Sequence, residues 1–122
     1  MNSRAVIQLF VPASALLLLA CTPALAAGRS IVGEWAPDPR RCQPIDGALK
    51  IAPLGMAGDE FSCDFKSVSR EGDVVTWRGF CSAPRKAATV VASLRGEVLS
   101  VRVNGDSIGS YRRCRPGSGN AA

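Results

Sequence analysis

The stretch Phe61-Ser62-Cys63-Asp64-Phe65-Lys66-Ser67-Val68-Ser69-Arg70-Glu71-Gly72-Asp73-Val74-Val75-Thr76-Trp77-Arg78-Gly79-Phe80-Cys81 decides the fold. Apolar residues fall at alternate positions on both sides of Glu71-Gly72-Asp73. Period-two alternation around a glycine-bearing break is the pattern of a β-hairpin with one buried face. Strands over Glu60–Arg70 and Val74–Cys81 follow from it. A three-residue loop centred on Gly72 makes Arg70 face Val74, so residues whose numbers sum to 144 stand opposite each other. Cys63 and Cys81 are such a pair, on the face that carries Phe61, Phe65, Val75 and Trp77. Opposed residues in antiparallel strands are about 4.5–5.5 Å apart at Cα, which a disulfide can span.

The same punctuation continues outward from this hairpin. Strands are expected near Ile31–Trp35, Ala48–Leu54, Ala87–Leu94, Val98–Val103 and Ser107–Cys114, with turns at Arg95-Gly96-Glu97 and Asn104-Gly105. Asn-Gly is a strong type I′ signal, because both central residues of that turn need positive φ. Pro37-Asp38-Pro39-Arg40-Arg41-Cys42-Gln43-Pro44 reads as a loop with one helical turn at most, since proline cannot donate to a sheet ladder. About seven short strands joined by tight turns predict an all-β domain. The expected form is a small antiparallel meander barrel stapled by two disulfides, with a sandwich as the alternative.

The ends of the chain differ from this domain. Residues 1–26 combine Arg4, an apolar run from Ala5 to Ala20 and a small-residue end at Ala24-Leu25-Ala26, the three parts of a secretory signal peptide. Pro12 and Gln8 interrupt the run, which argues against a retained transmembrane helix. Leu18-Leu19-Ala20-Cys21 also resembles a lipobox, in which Cys21 is lipidated and becomes the mature N-terminus. The domain then occupies residues 27–115, and 116–122 form a Gly/Ser/Asn/Ala tail expected to be disordered.

Cys42, Cys63, Cys81 and Cys114 remain in the domain, at spacings of 21, 18 and 33 residues. Structural zinc sites use close cysteine pairs, so in an exported chain these four read as two disulfides. In a meander of seven strands, the first and last run parallel and finish at the same end. That arrangement brings Cys42 to Cys114 and leaves Cys63 with Cys81.

The chain contains no histidine, which removes Ser-His-Asp and Cys-His nucleophiles and every histidine metal site. Asp59, Glu60, Glu71 and Asp73 fall in or beside turns, where acidic residues serve the backbone. No catalytic residue, metal ligand or cofactor site is therefore expected, and an enzyme is not the reading. Without Arg4 the net charge is near +4, with signs interleaved along the strands. That pattern favours solubility over a nucleic-acid face.

Arginines cluster at Arg40-Arg41 and at Arg112-Arg113 with Arg115. Tied by a Cys42–Cys114 bridge, they would form a rim for an anionic envelope component or a protein partner, guanidinium being suited to phosphate and carboxylate. The competing reading is an ordinary solvated end. Contact with a membrane is expected only through lipidation of Cys21. Trp35 and Trp77 are expected in the core, Trp35 closing one barrel end.

From Gly33 to Cys114 the chain shows Gly-x-Trp, a nearby cysteine, two cysteines around a Trp-bearing hairpin, and Tyr111-Arg112-Arg113-Cys114. In this it resembles small periplasmic proteins of Gram-negative bacteria, motifs that assign no activity. More remotely, the leader, the Gly-x-Trp opening and the barrel size are similar to the bacterial metallopeptidase inhibitors. That resemblance implies an N-terminal segment, here Ala27 to Ile31, that enters a protease cleft. Those inhibitors carry one disulfide, whereas this chain is read with two. The expected function is a non-catalytic binding or interaction module of the bacterial cell envelope. The alternatives are an inhibitor of a protease or lytic enzyme, and a lipid-anchored structural lipoprotein.

Overall fold

The computed structural model describes residues 29–116 apart from Ala83. The expected signal peptide, Cys21 and residues 117–122 of the tail lie outside the described residues. The strands are β1 (Gly33–Ala36), β2 (Leu49–Ala52), β3 (Gly55–Gly58), β4 (Phe61–Glu71), β5 (Val74–Ser82), β6 (Lys86–Arg95), β7 (Val98–Val103) and β8 (Asp106–Arg113). Each pairs antiparallel with the next, and β1 pairs with β8, so the sheet closes into a barrel without an edge. The fold is the expected all-β barrel with two disulfides, Cys42–Cys114 and Cys63–Cys81. Two disulfides are consistent with an oxidising compartment.

The strand count is eight rather than about seven. The expected strand Ala48–Leu54 ends at Ala52, because Pro53 and Leu54 make the turn and Gly55-Met56-Ala57-Gly58 returns as β3. Only Met56 of β3 is buried, so no alternation announced it.

The extra strand changes how Cys42 reaches Cys114. β8 now runs antiparallel to β1, with Ala36 opposite Arg112 and Trp35 opposite Arg113. It therefore finishes beside the start of β1 rather than its end. Segment 37–43 doubles back along the outside of the wall, where the Arg115 N–H donates to the Pro39 carbonyl at 3.0 Å. One 3₁₀ turn, Pro44–Asp46, returns the chain to β2. Ala36, Cys42, Ala48 and Cys114 pack there as a small second cluster outside the barrel.

The decisive hairpin also differs at its tip. Glu71 pairs with Val74, so the loop is Gly72-Asp73 alone, with Gly72 at φ 58° in the first loop position. Near the tip, partners are therefore offset by one from the expected register. Lys66 then bulges between the Phe65↔Gly79 and Ser67↔Arg78 pairs, and the offset disappears. Cys63 faces Cys81 as expected, at a Cα separation of 4.0 Å.

The bulge brings the two backbones close. A Cβ at Gly79 would lie 2.1 Å from the Asp64 carbonyl oxygen and 2.6 Å from the Phe65 Cα. Neither atom can swing aside, so Gly79→Ala is expected to cost about 1–3 kcal/mol by overpacking. Urea denaturation measures this, and an unchanged midpoint would mean that the strands do not approach so closely.

Inside the barrel, Trp35, Ile51, Trp77, Val90, Leu99 and Val101 are the largest fully buried side chains. Trp77 stacks on Phe65 with ring centroids 5.2 Å apart and donates its indole N–H to the Pro53 carbonyl at 3.1 Å. No buried polar or charged side chain is found among the described residues.

Candidate functional site

The two ends of the barrel are built differently. At the end where β1 begins, residues Arg29 to Val32 form a strap, and all four carbonyls accept hydrogen bonds from side chains. Arg70 donates to the Arg29 carbonyl. Arg113 donates to those of Ser30 at 2.6 Å and Val32 at 3.0 Å. The Trp35 indole N–H takes that of Ile31 at 2.8 Å. Arg29 in turn donates to the Gly96 carbonyl at 2.7 Å, in the β6–β7 turn. Ile31 is 3% exposed and joins the main core.

Beneath the strap, Trp35 fills the barrel with the Arg113 guanidinium 4.4 Å above its ring. Gly33 makes this crossing possible. Its φ of 136° suits glycine, and a Cβ there would lie 2.9 Å from Arg113 Nη1. Trp35 thus sits in the core at one end, as its sequence position suggested, but Arg113 and the strap complete that closure.

Of the five arginines expected at a rim, Arg113 is drawn to the strap, and Arg40 and Arg41 have acidic partners. Arg113 is held over Trp35 and the strap. Arg112 stands on the outer wall, in register with Ala36 and Val98. Arg41 donates to Asp46 Oδ1 at 3.1 Å. Arg40 lies 3.5 Å from Asp38 Oδ1, and its backbone N–H, donating to the same carboxylate at 2.9 Å, holds that carboxyl below the usual range. Arg115 joins the group through the Pro39 contact and the Cys42–Cys114 bridge. Arg40, Arg41 and Arg115 therefore lie on the barrel flank, and two of them have acidic partners.

The opposite end carries an apolar cavity of about 350 Å³. Phe61, the Cys63–Cys81 bridge, Val103, Ile108 and Tyr111 line it, and Asp59 lies at its edge in the exposed β3–β4 turn. These side chains come from the ends of β4, β5, β7 and β8, around the Asn104-Gly105 turn whose φ values of 50° and 87° fit type I′. Ile108 belongs to a second bulge. Val101 pairs with Gly109 and Arg102 with Ser107, which leaves Ile108 as the extra residue, 40% exposed. Bulges re-aim side chains, and here the bulge sets an isoleucine on the cavity lip.

Sequence reasoning missed this cavity. The legible signal was a set of large apolar residues at strand ends, Phe61, Val103 and Ile108, close to turns where polar residues would be expected. Among the described residues, no group of three or more His, Cys, Asp or Glu side chains is placed to hold a metal ion. Comparisons with protein-family models, curated proteins and solved structures give no match, so function is read from geometry.

Tyr111, the only tyrosine of the chain, donates its hydroxyl to the Ile108 carbonyl at 3.2 Å. Burial pushes its pKa above the ordinary 10.0. A raised folded-state pKa means stability that is complete below pH 10 and falls as pH rises toward the folded value. The phenolate absorbance should therefore titrate with a midpoint above pH 10, with the urea midpoint falling over the same interval. Ionisation at pH 10 with unchanged stability would place Tyr111 in water.

Proposed function

We propose that this protein is a non-catalytic, exported binding module of the bacterial cell envelope that binds through the open end of its barrel. The observation that carries this reading is the asymmetry of the ends. The strap and Trp35 cross one end, leaving a concavity of about 280 Å³ between the strap and Val68, Val75 and Trp77, whereas the other end holds an apolar cavity of about 350 Å³. Apolar concavities of roughly 300–1,000 Å³ are the usual form of small-molecule sites, and an eight-stranded barrel has room for one small ligand. Export is supported by the leader and the disulfides. A non-catalytic role is supported by the absence of histidine from the chain and by the pairing of all four domain cysteines.

The test is binding of N-phenyl-1-naphthylamine, whose fluorescence rises in apolar surroundings, to the oxidised protein. Saturable binding is expected, abolished by Ile108→Trp or Val103→Trp at the cavity and unchanged by Arg40→Glu or Arg115→Glu on the flank. Absence of binding, or binding indifferent to the cavity variants, removes the reading.

Use of the N-terminal segment as a protease insert would require Ile31 to leave the core and four carbonyls to give up their donors. The seated strap therefore favours the cavity over inhibition through residues 27 to 31. Anchoring is decided by the intact mass of protein taken from its own envelope. A start at Ala27 means a soluble module, and a start at Cys21 with added acyl chains means a lipoprotein.

A further inference from the structure

The geometry points to a ligand class for the open cavity: a single-chain amphiphile that enters tail first, with an uncharged or cationic head group. This assignment rests on the cavity being the binding site.

The volume sets the size of the guest. An apolar cavity of about 150 Å³ takes up benzene. The 350 Å³ available here is more than twice that, enough for at most about fourteen carbon atoms on the same scale. The shape sets its form. The cavity lies at the mouth of a closed barrel, walled by β4, β5, β7, β8 and the start of β2 and bounded below by core side chains. A thin chain can enter along such an axis, whereas a wide, branched or two-chain lipid is blocked by the hydrogen-bonded wall.

The lining sets the polarity. Phe61, the disulfide, Val103 and Ile108 offer nothing to a polar group. The Tyr111 hydroxyl, the one polar side-chain tip among the deeper residues, is already bonded to the Ile108 carbonyl. A charged or strongly hydrated group taken inside would lose its water without compensation. The polar end must stay at the mouth, where Asp59 is the one carboxyl-bearing lining residue. Its carboxylate repels a fatty-acid or phosphate head and tolerates a neutral or cationic one.

The test uses calorimetric titration of the oxidised protein with alkyl chains of six to eighteen carbons. Each chain carries a glucoside, trimethylammonium or carboxylate head and is kept below its micelle concentration. Affinity should rise about fourfold per methylene, the value of one CH₂ removed from water, and level off by about fourteen carbons. Glucosides and ammonium compounds should bind more tightly than carboxylates of equal length. Asp59→Asn should narrow that gap without altering the length dependence, and Ile108→Trp should abolish binding of all three.

Naphthylamine binding without alkyl binding would overturn the single-chain assignment and keep the cavity as a site for compact aromatic ligands. Carboxylates binding as well as glucosides, or an affinity independent of chain length, would overturn it equally. Failure of every probe would remove the cavity as a site altogether.

Discussion

Trp35→Ala is expected to leave the domain largely unfolded at 37 °C. Trp35 is 2% exposed, and removing a buried tryptophan costs about 3–5 kcal/mol from lost contacts and the cavity left behind. More than packing is lost. The Ile31 carbonyl loses its indole donor, and Arg113 loses the ring 4.4 Å beneath its guanidinium. Arg113 holds two further strap carbonyls, so the strap loosens with it. Domains of this size hold about 5–15 kcal/mol in total, and a barrel of under ninety described residues belongs near the bottom of that range. A fall in Tm of at least 15 °C is expected from about 4 kcal/mol. Near-ultraviolet circular dichroism with thermal melting measures it. A variant melting within 5 °C of wild type would show that Trp35 does not close the barrel.

Reducing both disulfides is expected to unfold the protein outright, with unequal contributions from the two bridges. Cys42–Cys114 closes a loop of 72 residues and Cys63–Cys81 one of 18. Chain-entropy estimates give about 4 and 3 kcal/mol respectively. The longer bridge also pins segment 37–48 against the wall, where Ala36 and Ala48 are covered through Cys42 and Cys114. A Cys42→Ser, Cys114→Ser variant should therefore be cut by trypsin at Arg40 or Arg41 before the barrel itself yields. A Cys63→Ser, Cys81→Ser variant should lose stability without that early nick and should alter the cavity wall. Limited proteolysis read by mass spectrometry distinguishes these outcomes. Equal resistance of both variants would mean that neither bridge constrains the chain.

Much of the architecture was legible because β-sheets repeat a simple period. Alternation around Gly72 placed Phe61, Phe65, Val75 and Trp77 on one face, and they share the core. The Cys63–Cys81 pairing was legible even though the loop is shorter than expected, because the bulge at Lys66 offsets the shorter turn. Neither irregularity has a sequence mark of its own, since lysine is unremarkable in a strand. β3 was illegible because a strand of two glycines, an alanine and one buried methionine shows no period, although Pro53 inside the expected strand marked the turn. That omission reversed the direction of the last strand relative to the first. The Cys42–Cys114 pairing was still correct because the 37–43 loop folds back.

Partners of the arginines were illegible for a physical reason. Sequence shows charge but not the carbonyls that charge will satisfy, and Arg113 is consumed by the strap. The open cavity arises from the same gap in information. Whether apolar residues at strand ends meet across the axis depends on barrel closure, which no single strand encodes.

The strap has a consequence for the order in which the chain can acquire its structure. Its four carbonyls depend on Trp35, Arg70 and Arg113, and the last of these is reached only 83 residues beyond Ser30. A chain that emerges N-terminus first must therefore leave the Ser30 and Val32 carbonyls without their Arg113 donor until nearly the whole domain has followed. The β4–β5 hairpin needs only its own neighbours and can form at once, with Cys63 already opposite Cys81. Contacts between distant residues form late because loop closure precedes any gain from them. Oxidation should then run in sequence, the short bridge first and Cys42–Cys114 last. Seating of the strap is thus the final latch, and it closes only on a chain whose end has arrived.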